Sequence, residues 1–572
     1  MNMPDKLTAS VENAKESSEV DEHERTQTDI LIHIVVSAQL FHAPDSTGYA
    51  DLENDGHRET WPIRSKGFRS WLVRRFFEET GKAPGSEALR SALGVIEARA
   101  HFDGPQQEVY IRVAGHDGHL YLDLADDNWR AIEIATNGWR IVDEPPVRFR
   151  RAAGMQPLPE PISGGSIDEL RSFLNVGSDD DFVLVVSWML SALRDRGPYP
   201  VLVLSGEQGS AKSTFAEIMK ALLDPNSVPL RALSREDRDL FIAATNGHVL
   251  TFDNVSRLPA WISDTLCRLA TGGGFAVRQL YTDQDEVLFD AARPIILNGI
   301  EDIITRPDLA DRAIFLSLDP IPDEKRRPEK ELWDAFEAAR PKIIGVLLDA
   351  IAHGLTMLPD TRLERLPRMA DFAMWATACE TAMWPQGTFW TAYAGNRDDA
   401  VDNVIESDPV GSAVRSLMAA RTMWTGTASN LLGTLGDEVG EVVRKTKTWP
   451  TTPHTLSNRL RRAATFLRKI GIDIEFTREG RRRTRTITIS ATEENEGLPP
   501  SAPSVASAPS PETSVPNGLG TGGLRTDCPE ADASAHKVDD VSYSSVRNNP
   551  LNSEEADEAD DADANIPSKS EG

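Results

Sequence analysis

The stretch Leu204-Ser205-Gly206-Glu207-Gln208-Gly209-Ser210-Ala211-Lys212-Ser213-Thr214 decides how this chain is read. Residues 200–204 before it are apolar and predict a strand, and residues 215–223 after it predict a helix. Strand, small-residue loop, Lys-Ser and helix is the layout of a nucleotide-phosphate cradle. Backbone N–H groups of such a loop point at phosphate oxygens, and the helix N-terminus adds positive potential. Gly206, Glu207, Gln208, Gly209, Ser210 and Ala211 then form the cradle, and Lys212, Ser213 and Thr214 open the helix. Lys212 is placed to reach the β- and γ-phosphates, and the Ser213 hydroxyl to ligate Mg²⁺. A Gly/Ser turn before an ordinary helix has the same composition. The strand and helix on either side favour the phosphate reading. Ala211 stands where glycine usually precedes the lysine.

A bound metal needs a second oxygen ligand. The apolar run His248-Val249-Leu250-Thr251-Phe252-Asp253-Asn254 ends in Asp253, about 40 residues after the loop. In parallel α/β sheets ligands sit at the carboxyl ends of strands, so Asp253 is placed to hold Mg²⁺, directly or through water. On its own the run also fits a strand ending in a solvated aspartate. Asn254 follows, where an acid often polarises the attacking water; an amide orients a water but cannot take its proton. A third strand-like run, residues 293–300, carries Asn298, whose side chain can reach the γ-phosphate or its water. Arg312 opens a further strand. It serves either as a finger on a neighbouring subunit's nucleotide or as a salt-bridge partner of Asp308 or Asp311.

The order of these motifs resembles the superfamily 3 helicases of the AAA+ class, closest to the viral and phage primase-helicase ATPase. The likeness covers roughly residues 183–352. It implies an α/β P-loop NTPase core, ATP and Mg²⁺ as ligands, and a homo-oligomeric ring acting on DNA. It also implies a DNA-touching loop in residues 269–281, with Arg278 at the basic position. Lys212, Asp253, Asn298 and Arg312 are the implied catalytic set. Ala211 and Asn254 depart from the pattern and leave hydrolysis open. Residues 63–161 resemble the segment before the ATPase in bacterial mobile-element proteins, through Tyr121-Leu122-Asp123-Leu124, Trp129-Arg130, Gly138-Trp139 and residues 146–150. No function follows from that match. Asp123, Asp126 and Asp127 read as a solvated turn rather than a metal cluster.

The formal charge of −28 argues against nucleic acid only until it is located. Residues 491–572 hold 17 acidic and 4 basic residues, a net of −13. Residues 441–490 hold 13 basic and 4 acidic, a net of +9. In that basic segment residues 410–421, 427–439 and 453–470 predict three helices, and 472–476 and 485–489 two strands. Three helices and a basic hairpin look like a winged helix. Asn458, Arg459 and Arg462 are then candidates for the major groove of double-stranded DNA. Arg478, Arg481, Arg482 and Arg483 are candidates for its backbone or minor groove. A charged, solvated helix and hairpin is the alternative.

These readings divide the chain into six parts. They are a disordered N-terminus (1–28), an N-terminal α+β region of unknown role (29–161) and a P-loop ATPase domain (162–354). A helical linker (355–408), a winged helix (409–490) and a disordered acidic tail (491–572) follow. Cys267, Cys379 and Cys528 are too scattered for a zinc site or disulfide framework. No apolar run approaches the ~20 residues of a membrane span. The polar start is unlike a signal peptide, so a cytoplasmic location is expected. His248 and the tryptophans Trp71, Trp129, Trp139, Trp188 and Trp375 read as packing residues. The expected function is an ATP-dependent, helicase-like ATPase of a phage or mobile element, acting in DNA replication. The alternative is a nucleotide-switched DNA-binding initiator with little unwinding.

Overall fold

The computed structural model describes residues 25–273, 275–278, 286–289, 292–300, 303, 304, 306–446, 448–479 and 484–491. The expected acidic tail beyond Ala491, and all of the expected disordered N-terminus before residue 25, lie outside them, as does Cys528. The described part is mixed α/β, built around a five-stranded parallel sheet. Its strand order is Arg231–Ala232, Leu250–Asp253, Ile295–Asn298, Val201–Gly206, Ala313–Leu318. The three strands expected to carry Gly206, Asp253 and Asn298 are neighbours, and their carboxyl ends lie together. Side chains alternate across the sheet. Leu202 and Leu204 face the helix Lys212–Leu223, and Val201 and Val203 face the helices Asp237–Asn246 and Ala260–Thr271. Each of these buried side chains contributes about 1.5–3 kcal/mol by leaving water. The edge strand Ala313–Leu318 is covered by the helix Thr388–Ser407. Its Asn396 bonds both backbone groups of Phe315, at 3.1 and 2.6 Å.

The region before the sheet is divided among several cores. Residues 31–100 form one of their own, around Phe68, Leu72, Phe76 and Ile96. Within it the apolar run from Ile30 to Val36 is mostly helix, Gln27–Ile34, started by a capping box between Thr26 and Asp29. A three-stranded antiparallel sheet spans Gln39–His42, Gly48–Asn54 and His57–Pro62. Leu122, Ile132 and Ile134, from the next antiparallel sheet, instead join the core around the helix Lys212–Leu223. The turn at Asp117-Gly118 closes its first hairpin, with both residues at positive φ.

Asp123 differs from expectation. It is 1% exposed, and its carboxylate accepts from Arg151 at 2.9 Å and from the Ala125 N–H. The nearby strands and the guanidinium exclude water from a turn whose composition alone reads as solvated. Asp126 does pair as a partly exposed acid, with Arg130 at 2.6 Å.

The C-terminal part holds the helices Pro409–Ala419, Ala428–Arg444 and Pro453–Lys469 and the strands Ile472–Glu479 and Thr484–Ala491. A further strand, Met423–Gly426, pairs with Thr484–Ala491 and makes the hairpin a three-stranded sheet. Four residues with only Trp424 and Met423 as large apolar side chains gave no periodic signal. Leu456, Leu460 and Leu467 join the same core as Val201 and Val203, and the helix Pro453–Lys469 meets the helices Pro307–Ala310 and Thr388–Ser407. Cys267 and Cys379 are buried and free. Among the described residues no helix is long and apolar enough to cross a membrane.

Candidate nucleotide site

The loop between Val201–Gly206 and Lys212–Leu223 is held by its backbone geometry. Gly206 has φ +151°, and a Cβ there would stand 2.3 Å from Leu318 O, so no other residue fits. Ser210 is fully buried, and its hydroxyl donates to Glu207 O at 2.9 Å. Ala211 adopts the left-handed conformation, φ 59° and ψ 31°, that the usual glycine takes without strain. It is the N-cap of a helix without a side-chain cap, so the first N–H groups of that helix face the loop.

Lys212 Nζ donates to Gly206 O and Glu207 O, both at 2.8 Å, folding the ammonium over the loop. Burial pulls its pKa down, and the Asp253 carboxylate opposes that shift. Ser213 Oγ donates to Asp253 Oδ1 at 3.1 Å. A hydroxyl and a carboxylate separated by 40 residues thus form one small oxygen-donor pair. Glu217, one turn further along the helix, has its pKa raised by burial, then by Glu329 and Asp253.

Asn298 is 1% exposed. Its Oδ1 accepts from the Asn254 N–H at 2.9 Å, fixing Asn254 at φ 53°. Its Nδ2 is buried with no hydrogen-bond partner among the described residues. Loop, Ser213, Asp253 and Asn298 therefore meet at one end of the sheet.

Arg312 is elsewhere. The register Val201↔Ala313 and Gly206↔Leu318 puts it at the opposite end of the strand that flanks the loop strand. Its guanidinium pairs with Asp308 at 2.5 Å and is 12% exposed. Arg278 ends the strand Phe275–Arg278, whose backbone pairs antiparallel with Glu286–Phe289.

In the basic module, Asn458, Arg462 and Arg478 are exposed. Arg459 turns inward, bonding Thr448 O and lying 3.9 Å from Asp408. Arg481, Arg482 and Arg483 lie outside the described residues. Arg461, not singled out in the sequence, is exposed on the same helix, its guanidinium 3.9 Å from the Phe476 ring centroid. Two further residues near the loop also escaped sequence reasoning. Asn175 Nδ2 donates to Ser210 O and Asp319 O, and Arg326 lies against Gly209. Neither sits in a periodic element or a motif.

Residues 167–403 match the family model described as the actinomycete integrative conjugative element replication protein. Residues 410–507 match the model of the AICE RepA C-terminal domain. The chain is similar to a mobile-element replication protein. The first of these RepA matches contains the loop, Asp253, Asn298 and Arg312, and the second contains the basic module. No curated protein matches the chain.

Among solved structures, the NrS-1 C-terminal region aligns over 82% of this chain and 100% of its own, at 11% identity and TM-score 0.37. "SCCmec type IV Cch - active helicase" aligns over 79% and 92%, at 10% identity and TM-score 0.41. A JCV helicase aligns over 37% and 58%, at 9% and 0.23. At such scores the fold rests on the strand order and the loop.

Proposed function

We propose that this protein is an ATP-dependent, helicase-like ATPase that acts in the replication of a mobile genetic element. The observation that carries the reading is the Ser213–Asp253 contact at the mouth of the loop. A hydroxyl and a carboxylate are the hard oxygen ligands that Mg²⁺ takes, with water and phosphate completing its shell. Mg²⁺ held by Ser213 and Asp253 would offset the negative charge of the phosphates. Lys212 is then the cation that leaves the loop carbonyls for the β- and γ-phosphates. Asn298, with its unpartnered amide nitrogen, offers a donor to the γ-phosphate or the attacking water.

The reading assigns the AAA+ P-loop ATPase to residues 162–354 and a DNA-binding winged helix to 409–490. The family matches to a replication protein support the replication role. The exposed Asn458, Arg461 and Arg462 line one helix face suited to DNA. Arg312, about five residues of strand or ~17 Å from the loop, cannot serve its own subunit's phosphates. A finger role for it requires a homo-oligomeric ring.

A second reading, a nucleotide-switched initiator with little unwinding, is favoured by Asn254. Its backbone is fixed by Asn298, and its side chain is an amide where a general base would help. Strand displacement on a forked duplex separates the two. The helicase reading expects unwinding with Mg-ATP and none with a non-hydrolysable analogue. Nucleotide-dependent DNA binding without unwinding would replace it with the initiator.

A further inference from the structure

We infer that Arg326 contacts the terminal phosphates of a nucleoside triphosphate bound in its own subunit; this rests on the proposed ATP site. The segment after the strand Ala313–Leu318 wraps the loop through three consecutive contacts. Leu318 O lies against Gly206, where a Cβ would stand 2.3 Å away. Asp319 O and Ser210 O share the Asn175 amide, at 2.8 and 3.1 Å. The Ile321 N–H donates to Gly209 O at 3.1 Å. Arg326 ends this wrap, with Nη2 only 3.3 Å from where a Cβ on Gly209 would stand. Its guanidinium is thus stationed at the loop apex.

What holds Arg326 there is weak enough to exchange. Nε donates to Ile321 O at 3.3 Å, and Nη1 pairs with Asp323 at 2.9 Å, with the two side chains 57% and 85% exposed. An ion pair that exposed contributes little to stability. A phosphate offers the same guanidinium a bidentate, charge-assisted contact. The site needs such a charge, because a triphosphate brings more negative charge than Lys212 and one metal ion offset, and Arg312 lies at the far end of the sheet. Arg326 is a nucleotide-contacting residue in this account, supplied by the subunit that owns the loop.

The test measures binding of fluorescent, non-hydrolysable ATP and ADP analogues to the full-length protein. It compares wild type, Arg326→Ala, Arg326→Lys and Lys212→Ala, with melting temperature recorded without nucleotide. Arg326→Ala is expected to weaken the triphosphate analogue roughly tenfold or more, the loss typical of a hydrogen bond to a charged group. The diphosphate should be weakened less, the melting temperature should not move, and Arg326→Lys should recover part of the loss. Wild-type-like binding by Arg326→Ala, alongside lost binding in Lys212→Ala, overturns the inference and leaves the ATP site standing. Equal weakening of both analogues overturns the assignment to the terminal phosphates. A wild-type protein that binds neither analogue removes the ATP site itself.

Discussion

Ala211 sits at φ 59° and ψ 31°, a conformation that costs an L-residue roughly 1–2 kcal/mol and glycine almost nothing. Ala211→Gly is therefore expected to stabilise the protein by about 0.5–1 kcal/mol in urea unfolding, after the greater chain entropy of glycine is offset. Unchanged or lower stability would show that the loop relaxes around the methyl group. His248, at the start of the Asp253 strand, behaves as the packing residue its apolar context suggests. It is buried, with Nε2 2.6 Å from Ala192 O. Burial pulls its pKa down to about 4, against the opposing Asp224. An unfolded histidine takes up a proton near pH 6.5. The stabilising effect of His248 is thus full above about 6.5 and is lost as pH falls through about 4. His248→Gln should flatten the stability profile between those values, as read by urea midpoints across pH. Lys212, Ser213 and Asp253 were legible because each closes or opens a strongly patterned element. Asn175 and Arg326 were not, since they act from irregular backbone that only the folded chain brings to the loop.

At the scale of elements, the antiparallel sheet before the parallel one is tied in by a buried polar cluster. Arg112 is fully buried at φ 63° and reaches Asp224 Oδ1 at 3.0 Å, Asp123 O at 2.9 Å and Gln156 O at 2.9 Å. Asp224, which ends the loop helix, also receives Lys220 at 2.7 Å and the His248 and Val249 N–H groups. The two cations hold its carboxyl well below the usual range, against the effect of burial. Removing one member leaves a buried charge unpaired, so Arg112→Ala should cost about 3–5 kcal/mol by denaturant titration. A loss under 1 kcal/mol would mean that water replaces the guanidinium. No spacing pattern announces this cluster, because it joins residues more than a hundred positions apart. The C-terminal helices were legible for the opposite reason: Leu456, Leu460, Ala463, Ala464 and Leu467 repeat at helical spacing and are all buried. Their opposite face carries Arg462. Arg462→Ala should weaken duplex binding across sequences and reduce the slope of log affinity against log salt by about one. An unchanged slope would remove Arg462 from the phosphate contacts.

Across the whole molecule, the parallel sheet joins two chemistries. One face and the carboxyl ends of its strands hold the candidate nucleotide site. The other face shares its core with the basic module. The Lys469 ammonium at the end of the exposed basic helix pairs with Asp311, next to Arg312. Arg312 in turn is held by Asp308. The ordering of motifs along the chain made the nucleotide half of this plan readable. The shared core did not show, because apolar periodicity gives the buried face of a helix but not what it packs on. The most direct test of the central claim is steady-state phosphate release from ATP, with Mg²⁺ and single-stranded DNA, for wild type and Lys212→Ala. Mg²⁺-dependent release by the wild type and a loss of about a hundredfold or more in the variant are expected, since one charge-assisted contact and transition-state neutralisation go together. Equal release by the two proteins would contradict the claim.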